Sequence, residues 1–137
     1  MWLGPALWAT ALFATPALAS DATESCLQTK MWETEEQGYS VRAVSTKDLE
    51  VSQFQTIKTA LFSNREYVVR SCADTGVSLL ELVVYDSRGE EIARSTDHGR
   101  SPNLTIKPQT AASVYIVVQV RGASPGPHSV SIGVLYK

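Results

Sequence analysis

The chain has 137 residues, 12 Lys and Arg against 14 Asp and Glu, a formal net charge of −2, and 44% hydrophobic residues. The near-balance of charge excludes the basic stripe of a nucleic-acid binder. The hydrophobic fraction excludes a disordered chain.

The hydrophobic residues are unevenly placed. Residues 1–19 (MWLGPALWATALFATPALA) carry no charged side chain and hold two of the three Trp. Without them 118 residues remain, of which about 39% are hydrophobic. That is one domain with room for a single core. Residues 6–14 form an apolar body, Pro16 is expected to break a helix, and Ala17-Leu18-Ala19 supplies a small-x-small site. This pattern reads as an export signal cut after Ala19, leaving residues 20–137. The alternative is an uncleaved anchor, but a span needs about 20 unbroken apolar residues, and Gly4, Pro5 and Pro16 interrupt this run. Export implies the periplasm or the exterior, where disulfides persist. The two Cys, Cys26 and Cys72, can then pair in only one way. Two buried free thiols are the alternative.

A helix is expected over about 22–37. Asp21 and Glu24 have the spacing of a capping box, Leu27, Met31 and Thr34 recur at helical intervals, and Gly38 is a stop signal. Trp32 lies beside that stripe and reads as a cap on the core. From Tyr39 the period becomes two. Strands are expected around 39–44, 51–61, 66–72, 79–86, 90–95, 102–107, 114–121 and 128–136. In the strongest, Leu80, Leu82 and Val84 face one way and Glu81, Val83 and Tyr85 the other. The run 114–121 is apolar on both faces, which predicts a central strand covered on both sides. About eight short strands divided by turns predict a mostly β domain, an antiparallel jelly-roll-like sandwich with one short N-terminal helix. The helix is expected across one end or edge, where it would shield an edge strand.

The stretch LLELVVYDSRG at 79–89, the segment Val114-Tyr115-Ile116-Val117 and the closing Gly126-Pro127-His128-Ser129-Val130 resemble the bacterial pre-peptidase C-terminal domain family. The likeness covers about residues 50–136. It implies a small secreted jelly-roll sandwich. Calcium-binding members use acidic residues around the first of these segments. Here Leu79 stands where the first acidic residue of that segment falls, and Glu81 where the second does. Ser113 replaces a Gly and His128 a Tyr.

Asp74, Glu81, Asp86 and Asp97 are the calcium candidates, since calcium takes six to eight oxygens. The plainer reading makes Asp74 and Asp86 turn residues. His98 and His128 lie in separate segments, which does not make a zinc set. A hydrolase would require a pocket joining His98 or His128 to a Ser and an Asp, and no G-x-S-x-G context supports one. His98 reads as loop surface and His128 as a partly buried packing residue. The sequence therefore predicts an exported, non-catalytic β-sandwich module without a cofactor, binding or stabilising a protein or glycan of the periplasm or cell envelope. The alternative is a calcium-dependent adhesion or secreted-enzyme accessory module. Neither nucleic acid nor a stable membrane span after signal cleavage is expected.

Overall fold

The computed structural model describes the backbone of residues 15–137 and the side chains from Asp21 onward. Most of the expected export signal therefore lies outside the described residues. Helix α1 spans Thr15–Glu35, followed by β1 (Ser40–Leu49), β2 (Phe54–Leu61), β3 (Tyr67–Ala73), β4 (Val77–Asp86), β5 (Glu91–Arg94), β6 (Leu104–Ile106), β7 (Ala112–Ala123) and β8 (His128–Tyr136). Among the described residues, no helix is long and apolar enough to cross a membrane.

The helix differs from the expected 22–37 at both ends. It is already helical at Thr15, the first described residue, so Asp21 and Glu24 lie inside the helix rather than at its N-terminal cap. Pro16 lies within this described helix, so it does not break the helix there. The helix ends two residues early. The Gly38 N–H donates to the Glu35 carbonyl at 2.9 Å, and Gly38 takes a left-handed φ of 99° that favours glycine.

The strands form two antiparallel four-stranded sheets, ordered β1-β8-β3-β6 and β2-β7-β4-β5. The nested pairs β1 with β8, β2 with β7, β3 with β6 and β4 with β5 describe one long hairpin rolled on itself, which is the jelly-roll arrangement. Its tip is the turn after β4. There Asp86 Oδ1 accepts the N–H groups of Arg88 and Glu90, both at 2.9 Å, and Gly89 adopts φ 85°.

Alternation sets the core. Leu80, Leu82 and Val84 of β4 meet Val114, Ile116, Val118 and Val120 of β7 and Val130, Ile132 and Val134 of β8 between the sheets. A buried polar tie crosses the same space. Gln55 donates to the Val130 carbonyl at 2.9 Å and accepts from Ser45 Oγ at 2.8 Å.

The helix does not guard an edge. It lies on the outer face of the first sheet, where Leu27 and Met31 join Tyr39, Cys72 and Leu135 in a second apolar cluster. Small residues on β8 let it approach: a Cβ on Gly133 would stand 2.8 Å from Met31 Sδ. The strand covered on both faces is consequently β8, buried from His128 to Leu135. In β7 one face is buried and the other only half covered. Two further ties fix the helix. Lys30 Nζ donates to the Ser71 carbonyl at 3.0 Å, and Cys26 is bridged to Cys72.

Candidate functional site

Loops at one end of the sandwich bring together residues far apart in sequence. Asp74, in the turn after β3, and His128, at the start of β8, are joined through Oδ1 and Nδ1 at 2.9 Å. On the other side of the ring, Nε2 lies 2.8 Å from the Ser124 carbonyl and 3.3 Å from Ser124 Oγ. An Asp-His-Ser set thus exists at hydrogen-bond distances, contrary to the expectation that His128 serves packing alone. It adjoins a depression of about 520 Å³ lined by Thr23, Thr75, Arg100 and Ser101 among others.

The protons decide what this set does. A general base needs a bare Nε2 aimed at a hydroxyl. Here the nearer partner of Nε2 is a carbonyl oxygen, which only accepts, so Nε2 must carry a proton. Nδ1 faces a carboxylate and is best served by a proton as well. Both contacts are satisfied together by the imidazolium. Accordingly the His128 pKa is raised, first by the Ser124 carbonyl, against the effect of burial, and further by Asp74. Asp74 also accepts from the Gly76 N–H and, through Oδ2, from the Ser129 N–H, both at 2.9 Å. The cluster is a clamp between two loops, with an acceptor facing each ring nitrogen.

The other acidic candidates are also engaged, each separately. Glu81 binds Arg94 at 2.6 Å and Arg121 at 2.8 Å on the open face of the second sheet. Arg121 and then Arg94 hold its carboxyl below the usual range. Asp86 closes the β4–β5 turn. Its backbone partners, led by Glu90, lower its pKa in the same way. Asp97 Oδ2 accepts the Asn103 N–H at 2.9 Å. The fold does not bring Asp74, Glu81, Asp86 and Asp97 together, and no cluster of three metal-ligating side chains occurs among the described residues. His98 is an exposed loop residue.

A second concavity, of about 560 Å³, runs between α1 and β1. Leu27 and Met31 form its buried floor. Trp32 on the helix and Val41 and Val44 on the strand form its walls. These three are 57%, 43% and 54% exposed, so a large part of their apolar surface faces solvent. Trp32 is therefore not the core cap expected from the sequence. The helix turns Leu27 and Met31 inward, and Trp32, one position past Met31, is rotated off the packed face. Helical spacing alone gave a stripe; only the sheet's position showed which side of it stays open.

No family profile and no curated relative matches the sequence. Among solved structures, the chain is similar to the pre-peptidase C-terminal domain of a collagenase from Bacillus anthracis. The TM-score is 0.50 at 13% identity, covering 69% of this chain and 89% of that one. It is also similar to PliG of Aeromonas hydrophila, a periplasmic inhibitor of g-type lysozyme. There the TM-score is 0.48 at 16% identity, covering 67% and 84%. The first likeness shows a fold like that of the pre-peptidase C-terminal domain.

Proposed function

We propose that the protein is an exported, non-catalytic β-sandwich module that binds a protein of the periplasm or cell envelope. The observation that carries this reading is the open groove between α1 and β1, with Trp32, Val41 and Val44 exposed together. Apolar side chains gathered around one concavity mark interaction sites, whereas scattered ones do not. The Asp74–His128–Ser124 cluster supports the non-catalytic part, because both ring nitrogens are committed to acceptors. The Cys26–Cys72 bridge and the signal-like residues 1–19 support export.

The test is expression of the full chain with subcellular fractionation and N-terminal sequencing. The expected product is an envelope protein beginning at Ser20, inert toward ester and peptide substrates. A protein kept in the cytoplasm with residues 1–19 intact would overturn export. A hydrolytic turnover abolished by His128→Gln would overturn the non-catalytic assignment.

A further inference from the structure

The rim of the α1–β1 groove carries charge of one sign. Glu24 and Glu35 line it, one toward each end of the helical wall, and no Lys or Arg does. The basic residues of these two elements that have assigned partners are directed elsewhere. Lys30 reaches the Ser71 carbonyl on the packed side of the helix, and Arg42 donates to Thr59 Oγ1 on β2 at 2.6 Å. Arg70, on β3, faces Glu33 and Thr34. Among the described residues, the groove is lined by five apolar side chains and by Gln28, Ser45 and Thr46 between two carboxylates, and no Lys or Arg lines it.

Self-association fits this surface poorly. Strand β1 is an edge strand, but its pairing with β8 is irregular between Val41 and Ala43, and Lys47 is exposed further along it. A bulge and an edge lysine are common devices against edge-to-edge pairing. Two copies placed groove to groove would also oppose their Glu24 and Glu35 carboxylates.

Resting on the binding role proposed above, we infer that this groove receives a loop or terminus of another protein carrying an apolar side chain flanked by Lys or Arg. The apolar residue would enter between Trp32 and Val44 over Met31. The flanking cations would face Glu24 and Glu35. Complementary charge at the rim would speed encounter and fix register, while the buried apolar anchor would supply most of the affinity.

The probe is a synthetic heptapeptide with a Leu-Val-Leu centre and two Lys at each end, capped at both termini. Its control has Glu in place of every Lys. Each is titrated into the isotopically labelled protein purified from the envelope fraction, and NMR follows the backbone amides and the Trp32 indole. The expected result is a set of shifts centred on Trp32, Val41 and Val44 with the Lys peptide. Binding should be at least tenfold weaker for the Glu peptide, and at least tenfold weaker for the Lys peptide with the Glu24→Lys/Glu35→Lys protein. Both replaced side chains are exposed, so an unchanged amide spectrum confirms that the variant is folded. Absence of shifts in the groove, shifts centred elsewhere, equal binding of the two peptides, or unaltered binding by the variant would each overturn the inference. None of these outcomes touches the fractionation and sequencing results, so a failure here is separable from a failure of the export assignment.

Discussion

Replacing His128 with Gln tests the clamp directly. The imidazolium donates to Asp74 and to the Ser124 carbonyl from a position 9% exposed. Hydrogen bonds to charged groups contribute roughly 1.5–3 kcal/mol each. Gln is neutral and reaches at most part of this pair, so the variant should lose about 2–3 kcal/mol at pH 5.5. With a urea slope of about 1.5 kcal/mol per molar, its midpoint should fall by about 1.3–2 M. The sign of the pH dependence follows from the raised pKa. Below the unfolded value of about 6.5 both states are protonated and the stabilisation is fully present. As pH rises the unfolded chain loses its proton first, and the contribution disappears as pH passes the higher folded value. Wild type should therefore approach the variant in stability as pH rises above about 6.5 and passes the higher folded value, while other titrating groups cancel in the difference. Urea unfolding followed by circular dichroism at several pH values gives that difference. Parallel pH profiles for the two proteins would refute the imidazolium clamp.

Other perturbations probe the rest of the frame. The Cys26–Cys72 bridge spans 46 residues, so Cys26→Ser/Cys72→Ser should destabilise by roughly 4 kcal/mol on the loop-entropy model. Thermal melts of that variant, and of wild type with and without reductant, check it. Tyr67 accepts the Phe62 N–H at 2.8 Å through its buried hydroxyl. Tyr67→Phe should therefore cost about 1–3 kcal/mol in urea unfolding by orphaning that N–H. Ile132, fully buried between the sheets, should lose about 2–5 kcal/mol as Ile132→Ala in the same assay. Because Asp74, Glu81, Asp86 and Asp97 are engaged on separate elements, calcium or chelator should leave the melting temperature unchanged. A rise with calcium that reverses with chelator would contradict this.

The sequence by itself determined the class of fold. Period-two alternation in 79–86 and 128–136 depends only on which residues are apolar, and the two-layer core in the structure uses those same side chains. Turn chemistry was equally local: Asp86 and Gly89 act within four residues of each other. With only two Cys, the pairing could be made in only one way, and the structure closes it as a bridge rather than leaving two free thiols. The tertiary structure alone decided how strands and helix stack. Both β7 and β8 are rich in apolar residues, yet only β8 is covered twice, because Ser129, Ser131 and Gly133 leave room for a helix that β7 does not receive. It decided likewise that His128 meets Asp74, 54 residues away, and that Trp32 faces solvent. Those outcomes depend on which faces meet after the chain has rolled up, and a one-dimensional pattern records which side chains are apolar but not what will lie against them.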